Sequence, residues 1–137
     1  MLAARLMGSV MLRIEITSRE QFISLKDAGQ RDFSKHEFPD GLDFSDLDLD
    51  GFDFTDAFMP DANFTRCSLK GACFRSANIK CADFHRADLT GADLRDSLID
   101  ASEFVLATTD GMQIDGASFY GAILIQADVQ KLTNPDA

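Results

Sequence analysis

Asp46, Asp48 and Asp50 alternate along the chain and are followed by Gly51, spelling D-x-D-x-D-G. This is how a calcium-binding loop opens, with hard carboxylate oxygens at alternate positions around the cation. Such a loop closes on a bidentate glutamate at its twelfth position, which here is Ala57. Without that ligand, the three aspartates read as solvated residues alternating with inward Leu47 and Leu49, and no metal is expected. Cys67, Cys73 and Cys81 are odd in number and lack C-x-x-C spacing, so they read as reduced thiols rather than a disulfide framework or zinc site, with Cys67 buried. His36 and His85 stand at no ligand or triad spacing from any Cys or Asp. The expectation is a protein with no catalytic constellation and no cofactor.

The composition narrows the classes further. In 137 residues there are 13 Lys and Arg against 23 Asp and Glu, a formal net charge of −10. That balance opposes direct nucleic-acid binding, which works by neutralising phosphates. No apolar run approaches the ~20 residues of a membrane span. The opening MLAARLMGSV lacks the sustained apolar core of a signal peptide, so a cytoplasmic location is expected. With 45% apolar and 26% charged residues, a single folded domain is the expectation.

The elements that position these residues follow from a repeat. From Leu42 to Lys131 the chain divides into eighteen five-residue units without an insertion. Their centres run Phe44, Leu49, Phe54, Met59, Phe64 and onward to Val129, and all are large and apolar except Thr109. Two residues before the centre, eleven units carry Ala. A period of five suits neither a helix nor a free strand, so each unit must be a short extended piece that turns a corner. A longer clock sets the coil. Phe44, Phe64, Phe84 and Phe104 recur every twenty residues, as do Leu49, Leu69 and Leu89, and as do Gly51, Gly71, Gly91 and Gly111. Four units per turn predict a square β-solenoid of 4.5 coils, roughly 22 Å long at the usual strand spacing. Its core is a phenylalanine ladder, and its glycines mark the one column of corners where positive φ is needed.

The units ANFTR, ADFHR, ADLTG and ADLRD resemble the A-(D/N)-(L/F)-x-x motif of the pentapeptide-repeat family. That resemblance implies a right-handed quadrilateral β-helix. Departures at FMPDA around Met59 and VLATTDGMQ around Thr109 predict distorted corners or a bulge. Residues 1–38 form an N-terminal extension and cap, residues 39–131 the β-helix, and residues 132–137 a tail. In the cap, Leu12, Ile14 and Ile16 predict a short strand. Ser18 and Gln21 predict a capped helix that carries Phe22, Ile23 and Leu25 and stops at Gly29. Leu42, Leu47 and Phe52 are too bulky for the small inward position, which points to a cap at this end, and Phe33 and Phe38 are one residue out of register, so one or two irregular units are expected before the regular coil.

No comparable cap is expected at the other end. Val105, Leu106, Ile123 and Ile125 fall at outward positions on one side of the last coils, with Tyr120 on the adjoining side. Either they form an exposed apolar patch, which usually marks an interface, or an altered register turns some of them inward. Dimerisation through such ends is what the family resemblance implies, and a homodimer is expected. Charge is banded. Residues 36–65 hold nine acids and no Lys or Arg, with Asp43, Asp46, Asp48, Asp50, Asp53 and Asp56 forming an acidic face. Residues 66–95 hold six bases and three acids, and residues 96–130 six acids and no base. The expected function is a non-enzymatic module that presents charged faces to an unidentified protein partner. The alternative, also implied by the family, is a DNA-mimicking inhibitor or protector of DNA gyrase.

Overall fold

The computed structural model describes residues 15–133. Leu12 and Ile14 of the expected leading strand, and tail residues 134–137, lie outside the described residues. Between Asp32 and Ser118 the chain winds as a solenoid. Its rungs are parallel pairs twenty residues apart: Asp43 with Asn63, Asp48 with Ser68, Asp53 with Cys73 and Phe58 with Asn78, continuing to Leu98 with Ser118. Four units therefore complete a turn and generate four columns, named here by their centres Phe44, Leu49, Phe54 and Met59.

Most units are closed by a turn hydrogen bond, and many by a second one from a side chain. The carbonyl of the centre accepts the N–H three residues on, as in Leu47 to Phe44 (3.3 Å) and Ala72 to Leu69 (3.1 Å). The residue two after the centre has positive φ, which makes the corner a type II turn. The residue before the centre, often Asp or Asn, accepts with its side-chain Oδ1 the N–H two residues on: Asp43 from Ser45, Asn63 from Thr65, Asp83 from His85 and Asp93 from Arg95. Those N–H groups take no part in the rungs, so the Asp or Asn of the motif satisfies a donor that the coil leaves over.

The glycine expectation needs correction. Positive φ is required at every corner and not in one column alone: Asp46 (63°), Asp56 (58°), Arg66 (58°), Ser76 (59°), Cys81 (60°) and Ala101 (57°) all adopt it. Gly51, Gly71, Gly91 and Gly111 (73°, 67°, 68° and 70°) are the column where glycine does so without strain. A Cβ at Gly51, Gly71 or Gly91 would meet nothing within 4 Å, so backbone conformation rather than space is the constraint there. An L-residue in this region costs about 1–2 kcal/mol, which the rung hydrogen bonds and core burial must offset.

The corner at Met59 lacks the turn hydrogen bond from the Ala62 N–H that its neighbours keep, but the one extra residue falls elsewhere than expected. Rungs keep their twenty-residue spacing through Phe58–Asn78 and Asp88–Thr108, so no bulge interrupts the coil at Met59 or Thr109. The extra residue sits at Pro39–Asp40, where Gly41 turns with φ 73°. Upstream of it the rungs Asp32–Asp53 and Glu37–Phe58 span twenty-one residues.

The N-terminal end is sealed by helix α1 (Arg19–Asp27), capped by the Ser18 hydroxyl accepting the Gln21 N–H at 3.1 Å. Phe22 plugs the mouth of the coil, with its ring 4.8 Å from those of Phe33 and Phe44 and 6.4 Å from that of Phe52. This explains how Leu42 and Phe52 fit: both are buried against the cap rather than forced into a narrow bore. Arg19 completes the seal. Its guanidinium donates to the carbonyls of Asp43 (2.9 Å) and Ser45 (3.0 Å). In the next coil the equivalent carbonyls, of Asn63 and Thr65, accept the N–H groups of Phe44 and Asp46. Arg19 thus stands in for two backbone donors of a coil that does not exist.

The C-terminal end departs from the sequence expectation, since the parallel rungs stop at Leu98–Ser118 and the units centred on Leu124 and Val129 form none. Strand β1 (Ser118–Phe119) pairs antiparallel with β2 (Ala122–Ile123) through the two-residue turn Tyr120–Gly121. Both turn residues have positive φ (51° and 81°), the type I′ geometry that reverses a chain instead of advancing it. A 3-10 turn (Gln126–Asp128) and the short helix α2 (Val129–Thr133) follow. Gln126 donates to the Met112 carbonyl and accepts the Ile114 N–H, while Val129 is buried and Leu124 and Leu132 pack on the core. A partial cap therefore exists at this end as well.

Phe84→Ala is expected to cost about 3–5 kcal/mol, and Gly91→Ala, with a buildable Cβ but the wrong φ, about 1–2 kcal/mol. Arg19→Ala, which orphans two carbonyls, should cost roughly 1–3 kcal/mol. Denaturant unfolding followed by circular dichroism checks all three. Equal losses for Phe84→Ala and Gly91→Ala would contradict the assignment of the core.

Candidate interaction surface

The interior is filled. Phe44, Phe64, Phe84 and Phe104 stack with centroids 4.7, 5.1 and 5.0 Å apart and planes within 7° of parallel. Leu49, Leu69 and Leu89 are fully buried in the neighbouring column. Only outward positions and the two ends can meet another molecule.

The carboxylates expected as an acidic face do not share one. Asp43, Asp48 and Asp53 belong to three different columns, so with Asp46, Asp50 and Asp56 they wind around the first coil as a belt. Nor do Asp46, Asp48 and Asp50 converge on a common point. Asp46 pairs bidentately with Arg66 (2.8 and 3.0 Å), Asp48 accepts the Asp50 N–H, and Asp50 accepts the Ser68 hydroxyl and the Lys70 N–H. The hydrogen bond from Arg66, followed by its charge, holds the Asp46 carboxyl below its ordinary range. The basic middle is tied down in the same manner, through Lys70–Asp88 (3.9 Å), Arg75–Asp93 (4.0 Å), Lys80–Asp100 (3.6 Å) and Arg95–Asp93 (2.8 Å). At Asp93 burial pushes the carboxyl up, but the hydrogen bonds and charge of Arg95, with Arg75, outweigh it and the net shift is downward. These pairs are exposed and individually weak. Their consequence is that most cations of the middle band are matched by a carboxylate, Lys70, Arg75 and Arg95 by carboxylates of that same band, while the net charge stays −10.

The apolar residues divide differently from the expected patch. Val105, Leu106, Tyr120, Ile123 and Ile125 are all exposed (43%, 59%, 68%, 66% and 61%). Val105 and Leu106 lie in the Phe44 column, whereas Ile123 pairs with Ser118 and so joins the row Phe58, Asn78, Leu98, Ser118 of the Met59 column. Phe58 (44% exposed) and Leu98 (37%) were not singled out from the sequence. The signal was present, because both occupy the position before the centre where the motif calls for Asp or Asn.

Two columns are left open at the C-terminal end. In earlier coils the N–H groups of Phe84 and Arg86 donate to Glu103 and Val105, and those of Leu89 and Gly91 to Thr108 and Asp110. One turn later the N–H groups of Phe104, Leu106, Thr109 and Gly111 have no acceptor among the described residues. Beside this edge is a cleft of about 530 Å³ lined by Phe104, Val105, Phe119, Leu124 and Leu132, with Glu103, Asp128 and Lys131 at its margin.

Stacked twenty-residue rungs around a sealed apolar core define a right-handed parallel β-helical solenoid. The chain carries pentapeptide repeats: the family model described as Pentapeptide repeats matches residues 43–80 and 61–96, in 8 copies. Among solved structures it is similar to the pentapeptide repeat protein Rfr23 from the cyanobacterium Cyanothece 51142, with 17% identity, a TM-score of 0.62, and coverage of 67% of this chain and 63% of that one. It is also similar to HetL, a pentapeptide repeat protein involved in heterocyst differentiation regulation in Nostoc sp. strain PCC 7120. There the identity is 21% and the TM-score 0.52, over 78% of this chain and 47% of that one. The chain spans less than two thirds of the length of either relative, and at these identities the likeness establishes the fold alone. No curated protein sequence matches it.

The thiols give a check on the coil. Cys67 Sγ donates to the Phe44 carbonyl, and burial pushes its pKa up to about 12, whereas Cys81 is exposed at a corner. Titration with a thiol reagent at pH 8 should modify Cys81 in the native protein and Cys67 only after denaturation. Acid gives a second check. Asp43, Asp46, Asp88, Asp93 and Asp128 all titrate lower in the fold than their ordinary 3.8. Their contribution is complete above that value and is lost as pH falls through the lowered folded values. The melting temperature should therefore drop on acidification below about pH 4, and the drop should shrink in Asp46→Asn and Asp93→Asn.

Proposed function

We propose that this chain is a non-enzymatic, cytoplasmic protein-interaction module that acts as a homodimer. The observation that carries this reading is the open C-terminal edge. The N–H groups of Phe104, Leu106, Thr109 and Gly111, which have no acceptor among the described residues, sit beside exposed Val105 and Leu106 and an apolar cleft. An unprotected strand edge next to apolar side chains is a template for pairing with another chain. Two copies meeting end to end would supply each other's missing acceptors and cover the apolar residues. The four units per turn support a four-sided cross-section, so the joined rod would offer flat, charged sides to a further protein. Nothing in the filled interior argues for catalysis.

Val105→Glu combined with Leu106→Glu should give a folded monomer by light scattering, where the unaltered protein runs as a dimer. A dimeric mass for the variant, or a monomeric mass for the unaltered protein, removes the end-to-end reading.

A second reading is that the acidic rod occupies the DNA-binding surface of gyrase. The observation favouring it is that most cations of the middle band are bound to carboxylates, so less free positive charge opposes a phosphate-binding surface. Inhibition of gyrase supercoiling by the purified protein would support it. Supercoiling unchanged at micromolar protein would reject it.

A further inference from the structure

One column of the solenoid differs from the other three. Before its centres, the Phe44, Leu49 and Phe54 columns carry Asp, Asn, Ser, Cys, Glu, Thr or Gln. The Met59 column instead carries Phe58, Asn78, Leu98 and Ser118, and β2 extends that row by one rung to Ile123. In the regular coil the side chain at this position accepts the N–H two residues on. Phe58 is relieved of that duty because the residue two on is Pro60, which has no N–H. An apolar side chain there contributes nothing to the coil and stays 44% exposed.

Phe58, Leu98 and Ile123 are each two rungs apart, so at ~4.8 Å per rung they form a straight line with a repeat of ~10 Å. An α-helix advances ~10.5 Å in seven residues. Apolar residues at a seven-residue repeat on a helix laid along the rod would thus meet these three side chains in turn. Asn78 and Ser118 lie between them, and exposed Tyr120 follows at the next outward position of the same side. The borders of the row lean acidic, although Lys35 holds the same corner one coil earlier. Asp56 and Asp96 stand at the corner before it and Asp61 at the corner after it, all at positive φ and none in an ion pair among the described residues. The one cation in the column, Lys80, is paired with Asp100 at 3.6 Å.

We propose that the Met59 column is a docking face for an amphipathic α-helix of a partner protein, with apolar residues at seven-residue spacing and Lys or Arg on its flanks. The face rests on the interaction-module reading but uses a different surface from the dimer edge, so each can fail alone. The probe is a labelled synthetic 21-residue helix carrying Leu at seven-residue intervals with Lys flanks, measured by fluorescence anisotropy against the full chain. Two control peptides carry Glu flanks, or a central Pro that breaks the helix.

Saturable binding of the Lys-flanked helix is expected, weakened at least tenfold by Phe58→Glu with Leu98→Glu and weakened by added salt. Asn78→Glu, a polar replacement at the centre of the row that spares the core, should weaken it similarly if the double variant does not fold. Leu106→Glu on the dimer edge should leave it unchanged. No saturable binding, equal binding of the three peptides, or indifference to both Phe58/Leu98 and Asn78 replacement would overturn the proposal. If the helix does not bind while light scattering still finds the dimer, the helix face fails and the module reading stands. If the helix binds to a chain that is monomeric throughout, the end-to-end edge fails and the face stands.

Discussion

A left-handed residue two places after every unit centre in the regular coil is the constraint from which the rest of the structure follows. It folds five residues into one extended piece and one type II corner, fixes which positions face in, and makes the coil close on itself every twenty residues. Because the corner is demanded of Asp, Arg, Ser, Cys and Ala as well as Gly, no single turn is strongly favourable by itself. Only stacking, with each coil's N–H groups meeting the next coil's carbonyls over a pile of rings, makes the sum favourable. The unit is therefore unstable alone and stable in series, which is the behaviour of a repeat protein.

The same constraint decides what the acidic residues are for. Aspartates before the centre spend an oxygen on a backbone N–H, and where that position is not Asp or Asn a carboxylate from the previous coil can take over. Asp50 accepts the Lys70 N–H beside Ser68, and Asp100 accepts the Tyr120 N–H beside Ser118. Much of the net charge of −10 thus arises from turn chemistry. Counting acids along the chain overstates how much negative charge is free for a partner, and the carboxylates with no such duty, Asp56, Asp61 and Asp96, are the more informative ones.

The coil was legible because a period of five leaves few geometries, and because Phe44, Phe64, Phe84 and Phe104 can recur at twenty only if they stack. The cap helix was legible from Ser18 and the spacing of Phe22 and Leu25. Three features were not. Positive φ at Asp46 or Ala101 leaves no mark in the sequence, since neither residue advertises it as glycine does. The reversal at Tyr120–Gly121 was hidden because Phe119, Leu124 and Val129 keep the five-residue spacing while serving a hairpin and a helix. The exposed row through Phe58 and Leu98 was hidden by attention to the inward positions, although an apolar residue in an Asp or Asn slot is itself the anomaly.

The two ends show how a solenoid distributes what it cannot satisfy internally. At the N-terminus, edge carbonyls are met by one guanidinium and the apolar mouth is filled by one phenylalanine, so that end is closed by side chains from a single helix. At the C-terminus, Gln126 and the Leu124 carbonyl satisfy the N–H groups of Ile114 and Gly116, but among the described residues nothing accepts the corresponding N–H groups of the Phe44 and Leu49 columns. The asymmetry is a physical reason to place self-association at the Phe104–Gly111 edge and to leave the Met59 column, whose last rung is already occupied by β2, for a partner of another kind.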